Sequence, residues 1–372
     1  MHIVCPKEIL NENINIVSKA VSNKSTMQIL ECILITADEG GVKMTANDLE
    51  MGIETEYFGA DVIRDGSIAL DARFFSEIIR KMPDGDIGID ADSNNVTVIS
   101  CGQAELKILG LGGDEFPMMP EFERSEGVAV DSYKFKNMIR QTSFSISQDS
   151  SKPVFTGGLI EVKDGCMNMV TVDGFRISFR REEAEARPGT GDIKVIVPGR
   201  TLNEISKILS SEEEERLTLY FTDKHVLFEQ KGFTLLSRLI EGDFLRYEQN
   251  FSNDYTSLVK IDRAEFGLAL ERTMLIARDS VKNPVEIKIE NDKLIITSNT
   301  EAGAARDEIP IDLTGENLQI SFNPRYLYDA LRAVDDEKIE MLFNTRLSPC
   351  IIRSSSGSTD YKYLILPLRS WN

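Results

Sequence analysis

The stretch MNMVTVDGFRISF, residues 167–179, decides how the chain is organised, because related stretches recur on both sides of it. It alternates apolar and polar residues, as a half-buried strand does. The related stretches are GVKMTANDLEMGIE at 41–54 and DKLIITSNTEAGA at 292–304. Each stretch contains one threonine that lies 126 residues from the next: Thr45, Thr171 and Thr297. A period of this length predicts a tandem duplication with three copies.

Two amphipathic helices are predicted around each of these strands, since apolar residues recur there at spacings of three and four. The first helix of each copy lies in KEILNENINIVSKAV (7–21), SYKFKNMIRQTSFSI (132–146) or RAEFGLALERTMLIA (263–277). The second lies in DARFFSEIIRKM (71–82), PGRTLNEISKIL (198–209) or NPRYLYDALRAV (323–334). An arginine stands at the same place near the start of each second helix: Arg73, Arg200 and Arg325.

Further alternating strands follow each second helix, with hairpin-like junctions at DSNN, TDK and NTR. The last strand of each copy is AELKILGL (104–111), FTLLSRLI (233–240) or YKYLILPL (361–368). Two helices and several antiparallel strands per copy predict an α+β fold of three tandem similar domains, with helices on one face of a sheet. Polar stretches near residues 121–130 and 247–256 place the domains at 1–125, 126–251 and 252–372.

Composition places the chain among globular proteins of the cytoplasm. It has 372 residues, of which 41% are hydrophobic, and a net charge of −19. This negative charge argues against binding of nucleic acid unless the cations are clustered on one surface. The five cysteines are scattered without a CxxC pair, which favours reduced, buried thiols. Neither a signal peptide nor an apolar run long enough for a membrane span is found in the sequence.

Residue patterns for catalysis or metal binding are weak. The two histidines, His2 and His225, stand at the terminus and in a predicted hairpin, which are poor places for a catalytic pair. The carboxylates at 84–92 and 212–215 do not match a calcium loop, and LGLGGDEF lacks the lysine and helix of a phosphate-binding loop. We therefore expect no catalytic residue, no metal and no cofactor. An acidic hydrolase that uses the carboxylates from Asp84 to Asp92 is disfavoured, because the sequence offers no nucleophile and no base for it.

Five short motifs in this order resemble the bacterial DNA polymerase III beta subunit family, the replicative sliding clamps. They are EFP at 115–117, KPVFTG at 152–157, VTVDGFRIS at 170–178, SRLIEGDF at 237–244 and LPLR at 366–369. The resemblance covers the whole chain. It implies a processivity factor without catalysis: a ring-shaped, head-to-tail homodimer of three-domain protomers that encircles duplex DNA without sequence preference.

The resemblance also implies three sets of site residues. The DNA-facing cations would be Lys24, Arg73, Arg80, Lys152, Arg200 and Arg246. The groove for partner peptides would use Phe155, Val172, Gly174, Ile177, Leu245, Leu364, Leu366, Pro367, Leu368 and Arg369. The dimer interface would pair Leu106 and Ile108 of one protomer with Leu275 and Ile276 of the other. The partners implied are the polymerase III catalytic subunit, the clamp loader, and other DNA polymerases and repair enzymes that carry clamp-binding peptides.

Several alternatives stay open. Each cation has an ordinary reading as a solvated surface charge, and each apolar groove residue has one as part of a core. Leu245 stands where the family usually has proline, Phe155 replaces the common leucine, and SNKST around Lys24 lacks a second basic residue that many clamps have. A duplicated scaffold that binds peptides but not DNA is the second hypothesis. The final Ser370, Trp371 and Asn372 extend beyond the usual family end and could pack beside the groove or fold into it.

Overall fold

The computed structural model describes residues 1–22, 25–125, 127–210, 215–252, 254–277 and 284–368. The α-helices are α1 Lys7–Val17, α2 Ala72–Lys81, α3 Ser132–Thr142, α4 Gly199–Ile208, α5 Arg263–Met274 and α6 Pro324–Ala333. Short 3₁₀ turns occur at Ser18–Ala20, Gln28–Glu31, Gly113–Glu115, Ser143–Ser145, Pro153–Phe155 and Tyr247–Asn250. Within the described ranges, the six α-helices coincide with the six predicted amphipathic stretches.

The strands follow the helices in three similar series. The first series is β1 His2–Pro6, β2 Cys32–Asp38, β3 Gly41–Asn47, β4 Met51–Thr55, β5 Asp61–Arg64, β6 Gly66–Asp71, β7 Asp86–Ala91, β8 Val96–Cys101, β9 Ala104–Leu109 and β10 Leu111–Gly112. The second is β11 Gly127–Asp131, β12 Gly157–Lys163, β13 Cys166–Val172, β14 Arg176–Glu183, β15 Glu185–Ala186, β16 Ile193–Pro198, β17 Arg216–Phe221, β18 His225–Gln230 and β19 Phe233–Arg238. The third is β20 Ser257–Asp262, β21 Val285–Glu290, β22 Lys293–Thr300, β23 Gly303–Pro310, β24 Asp312–Gly315, β25 Leu318–Phe322, β26 Lys338–Phe343, β27 Cys350–Ser354 and β28 Asp360–Ile365.

The chain packs into two compact units, one formed by residues 1–132, 186–190 and 207–239, the other by 133–185, 191–206 and 240–372. The first unit holds a five-stranded sheet, β5-β1-β7-β8-β9, and a sheet in the order β10-β6-β2-β3-β4-β19-β18-β17-β11-β15. The second holds β16-β12-β13-β14-β28-β27-β26-β20-β24 and β23-β22-β21-β25. Neighbouring strands run antiparallel, as predicted.

Sheets continue from one repeat into the next. Strand β4 of the first repeat pairs with β19 of the second, from Phe233 opposite Thr55 to Ser237 opposite Met51. Strand β14 of the second repeat pairs with β28 of the third in the same way. The compact units therefore do not coincide with the sequence repeats, and the boundaries at residues 125 and 251 remain predictions from the repeat pattern.

Side-chain caps explain where several helices begin. Asp71 accepts a hydrogen bond from the backbone N–H of Phe74 at 2.7 Å, and Asp262 accepts one from Glu265 at 2.8 Å. Asn323 caps α6, whose first residue is proline. Arg73, Arg200 and Arg325 are each the second residue of their helix, so the repeated arginine marks one structural position.

Two of the repeated threonines, Thr45 and Thr171, are not structurally equivalent. The Thr171 hydroxyl donates to the carbonyl of Thr142 at the end of α3, so it lies on the helix-covered face of its sheet. The Thr45 hydroxyl donates to Glu54 across the strand pair, whereas its neighbour Ala46 is fully buried. The hairpin turns align at a spacing of 125 residues, since Asp48 and Asp173 begin them with the same backbone hydrogen bond. The threonine spacing of 126 therefore differs by one residue from the structural spacing of 125. Because successive side chains of a strand point to opposite faces, Thr45 and Thr171 lie on opposite faces of their sheets.

Within the described residues no helix is long and apolar enough to cross a membrane. The cysteines are free thiols, and four of the five are buried. Burial raises the pKa of the Cys32 thiol to about 11 and that of Cys5 to about 12. These thiols pack as small apolar side chains.

Candidate peptide groove and DNA-facing cations

The turn between β13 and β14 positions the predicted groove residue Gly174. Its carboxylate-bearing neighbour Asp173 accepts hydrogen bonds from the backbone N–H groups of Phe175 and Arg176, at 2.9 and 3.1 Å. Gly174 has φ +93°, a conformation that favours glycine. The glycine therefore sets the geometry of this turn and leaves open space beside its backbone.

An apolar cluster forms on the sheet face next to this turn. Ile177 lies directly opposite Leu364 on neighbouring strands, and both belong to one cluster with Val172. Phe155 packs against this cluster and meets Phe244 edge to face at 5.8 Å between ring centroids. The structure thus brings together four of the residues predicted for the groove, contributed by the second and third repeats.

The segment after β28 is fixed by its backbone. The Leu366 N–H donates to the Phe175 carbonyl at 2.9 Å, and the Leu368 N–H donates to the Ser321 carbonyl at 2.8 Å. Pro367 stands between them, where it ends the strand. The backbone is thus held on both sides of the proline, and the Leu366 side chain is 38% exposed.

Arg176 joins the turn to the third repeat, a role that the sequence patterns did not indicate. Its guanidinium bonds to Asp173 and Asp329, each at 2.8 Å, and to the carbonyl of Phe144 at 2.6 Å. Its guanidinium carbon lies 4.5 Å from the ring centroid of Tyr326. The side chain is largely buried, so these partners fix the turn against α6.

Two aromatic residues at this place were also missed. Phe175 is exposed and stacks on Tyr326 with 6.1 Å between centroids. Burial raises the pKa of the Tyr326 hydroxyl, which is consistent with its neutral, packed state. The glycine turn could have indicated Phe175, because an aromatic residue directly after such a turn projects from the hairpin.

Leu245 and Arg369 were also predicted for the groove. Leu245 is exposed and directly follows Phe244, and no described contact joins it to the cluster. Arg369 and the tail Ser370–Asn372 lie outside the described residues. Their predicted roles stay predictions.

The predicted DNA-facing cations are exposed wherever they are described. Arg73 and Arg80 lie seven residues apart on α2, which places them on the same helix face, opposite buried Phe75 and Ile79. Arg80 lies 3.9 Å from Glu77, a weak surface pair. The others are exposed at Lys152, Arg200 and Arg246, while Lys24 lies outside the described residues. Arg325 is also exposed and was not predicted for DNA, although the repeated arginine could have indicated it.

The residues predicted for the dimer interface lie on one sheet edge, strand β9, and in the segment after α5, beside a second edge, strand β23. Strand β9, with Leu106 and Ile108, pairs on one side only among the described strands. Strand β23 does likewise, and the Ile276 side chain lies beside its first residue, Gly303. Leu275 is 72% exposed, an unusual environment for a leucine unless a partner covers it.

Comparison with known proteins assigns the chain. Three family models match in sequence: the N-terminal domain of the DNA polymerase III beta subunit at residues 1–120, the central domain at 129–245 and the C-terminal domain at 249–369. The beta sliding clamp of Halalkalibacterium halodurans is 33% identical, with 100% of both chains covered. The beta sliding clamp of Bacillus subtilis is 32% identical at the same coverage.

Solved structures agree with these sequence matches. A DNA polymerase III beta subunit structure from Eubacterium rectale is 39% identical and superposes with a TM-score of 0.94, covering 100% of both chains. The DNA polymerase sliding clamp of Bacillus subtilis superposes equally well, at 0.94, with 32% identity and complete coverage. The predicted three-domain α+β fold is confirmed, and the chain belongs to the DNA polymerase III beta subunit family, the bacterial beta sliding clamps.

Proposed function

We propose that the chain is a processivity factor that closes around duplex DNA as a head-to-tail homodimer and tethers DNA enzymes through its groove. It would act in the cytoplasm and would have no catalytic site of its own. The observation that carries the proposal is the repeated strand pairing.

The pairing leaves one strand of each type with an open edge among the described strands. In each repeat the second hairpin strand, β4, β14 or β23, is followed later by a final strand, β9, β19 or β28. Strand β4 pairs with β19, and β14 pairs with β28, so each hairpin strand takes the final strand of the next repeat. Among the described strands, β23 pairs only with β22 and β9 only with β8, so each keeps one open edge. Two copies satisfy both edges if β23 of each pairs with β9 of the other, which gives a closed, symmetric assembly.

Exposed apolar residues support the same pairing of β9 with β23 between two copies. Leu106 and Leu109 on β9 are exposed, as is Leu275 after α5. A monomeric protein seldom leaves such residues along a free sheet edge, because the edge would recruit another chain. The predicted interface residues Leu106, Ile108, Leu275 and Ile276 would be covered by this pairing.

The helix surfaces support a contact with DNA. The second residue of each repeat's second helix is an exposed arginine: Arg73, Arg200 and Arg325. An arginine at the same position in all three repeats of an otherwise acidic chain suits contacts with DNA phosphates, which do not depend on base sequence. Lys24, Arg80, Lys152 and Arg246 would add to this surface.

The groove would bind short peptides of the polymerase III catalytic subunit, the clamp loader and other polymerases and repair enzymes. Its apolar floor, Val172, Ile177 and Leu364, with Phe155 and Leu366 at its margins, suits one or two hydrophobic anchor residues. Gly174, Leu245, Pro367, Leu368 and Arg369 complete the proposed set.

Topological retention on DNA tests the proposal. The protein is loaded by its cognate loader onto nicked circular plasmid, the excess is removed, and half of the sample is linearised. We expect the protein to stay on circles and to leave linear DNA by its ends. Equal retention on both forms would refute encirclement. No retention on either form, with peptide binding intact, would favour the scaffold that binds peptides but not DNA.

A further inference from the structure

The two strand pairings between repeats show how a hairpin strand aligns with a final strand. In the first, Ile53 of β4 lies opposite Leu235 of β19. In the second, Ser178 of β14 lies opposite Tyr363 of β28. Both pairs are antiparallel. The inference below rests on the proposed homodimer, in which β23 of one protomer and β9 of the other would repeat this arrangement.

The hairpin turns identify the equivalent residue of β23. Met51 and Arg176 close the first two turns by accepting a backbone hydrogen bond, and the residue that faces the final strand lies two positions later. Gly303 closes the third turn, which makes Ala305 the equivalent residue of β23. Ala305 lies opposite buried Ser298, so it belongs to the helix-covered face of its sheet.

A second turn identifies the equivalent residue of β9. Strand β19 begins at Phe233, directly after a two-residue turn, and Leu235 lies two positions later. Strand β9 begins at Ala104 after a turn of the same length, so Leu106 is the equivalent of Leu235. The alignment therefore places Leu106 of one protomer opposite Ala305 of the other.

We infer that β9 and β23 pair between protomers in this register, with Glu105 of one protomer directly opposite Arg306 of the other. Both side chains are exposed in the single chain, on the sheet faces turned away from the helices. Opposite charges at directly facing positions stabilise an antiparallel pair. Arg306 already donates to Glu308 on its own strand, so its guanidinium would lie between two carboxylates.

Side-chain size supports the same register on the helix-covered face. Leu106 would meet Ala305, and Ile108 would meet Gly303, which is a small residue in each case. A Cβ atom at Gly303 would lie 3.7 Å from Cδ1 of Ile276. Ile108 would therefore pack over the glycine against Ile276, which buries the apolar residues predicted for the interface.

Neighbouring registers fit less well. A shift of one residue would place the buried face of one sheet beside the solvent face of the other. A shift of two residues would place Lys107 opposite Arg306. It would also place Glu105 opposite Glu308, and like charges directly opposite destabilise a strand pair. The reverse shift would carry Arg306 past Ala104, the first residue of β9.

Disulfide cross-linking of the full-length protein tests the register. Directly opposed residues lie about 4.5 to 5.5 Å apart, within reach of a disulfide, whereas diagonal neighbours lie about 7 to 8 Å apart. Glu105→Cys combined with Arg306→Cys should give a covalent dimer on a non-reducing denaturing gel. Glu105→Cys combined with Glu308→Cys is opposed only after the two-residue shift and should give none. The parent chain, with its five free cysteines, is the background control.

Charge exchange gives a second test that does not depend on cysteine chemistry. Glu105→Arg and Arg306→Glu should each raise the dimer Kd by about tenfold in sedimentation equilibrium, because each places like charges at both interfaces of the symmetric dimer. The two changes together should restore most of the affinity. Glu39→Arg reverses an exposed charge in the turn between β2 and β3 and should leave the Kd unchanged.

The outcomes separate the register from the homodimer itself. A parent chain that stays monomeric would refute the homodimer and the register with it. A dimeric parent would refute the register alone if the Glu308→Cys pair cross-links in preference to the Arg306→Cys pair. The register also fails if the two charge reversals act no differently from Glu39→Arg, or if combining them does not restore affinity.

Discussion

Leu366→Ala offers the sharpest test of the groove. The residue is 38% exposed, and its backbone is fixed by the hydrogen bond to Phe175, so truncation should not displace the segment. Full exposure of a leucine corresponds to roughly 180 Å², so a bound peptide could cover up to 70 Å² of this residue at about 25 cal/mol per Å². That amounts to about 1.7 kcal/mol, of which alanine would retain about a third, so we expect a loss near 1 kcal/mol and a fivefold rise in Kd.

The assay is fluorescence anisotropy with a labelled peptide from the clamp-binding segment of the organism's own replicative polymerase. Ile63→Ala is the control, because Ile63 is an exposed aliphatic residue on β5, at 61% against 38% for Leu366, and lies outside the proposed sites. Sedimentation velocity should give the same oligomeric state for both variants. Leu368→Ala should weaken binding in the same direction. An unchanged Kd for Leu366→Ala, or an equal rise for Ile63→Ala, would remove Leu366 from the groove.

The other predictions concern the ring, the DNA contact and acid stability. Leu275→Asp should convert the dimer to monomer in sedimentation, since a carboxylate would be desolvated at the β23 edge; a stable dimer would contradict the proposed join. Arg73→Ala should lower the salt dependence of DNA binding by about one unit of logarithmic slope, without changing peptide affinity. Burial alone would raise the pKa of Glu340, but hydrogen bonds from Arg353 and Lys260 outweigh it and hold that pKa below its usual value. Its stabilisation is therefore present above the unfolded pKa and lost as pH falls through the folded one, so Glu340→Gln should flatten the loss of stability below about pH 4.5 in urea titrations.

Local patterns predicted the helices and hairpins well, because caps and spacing act over a few residues. Asp71 and Asn323 cap helices where the sequence indicated a helix start. The last strand, in YKYLILPL, was expected to run through Leu366; it ends at Ile365, and the Leu366 N–H still donates to the carbonyl of Phe175 in the turn before β14. Such differences of one residue reflect fraying at strand ends.

The sequence patterns were insufficient where distant segments meet. No local feature indicates that Arg176 will bond to Asp329, which lies more than 150 residues away. The threonine register was wrong for a related reason: the identity of Thr45 and Thr171 was taken as equivalence, whereas the turn hydrogen bonds at Asp48 and Asp173 fix the register. The resemblance indicated Val172 and Ile177, which lie in VTVDGFRIS, and Leu364, which lies just before LPLR, whereas Tyr326 lies in none of the quoted motifs.

The pairing of β4 with β19 has a consequence for cutting the chain. The segment 117–125 connects the first repeat to the second and lies in irregular backbone, where a protease would find its substrate. Cleavage there would break the covalent link but not the strand pairing, which joins five residues of each strand. The fragments would migrate together in native gels and separate only in denaturant. We therefore expect the pairing of β4 with β19 to hold the first and second repeats together even when the polypeptide between them is cut.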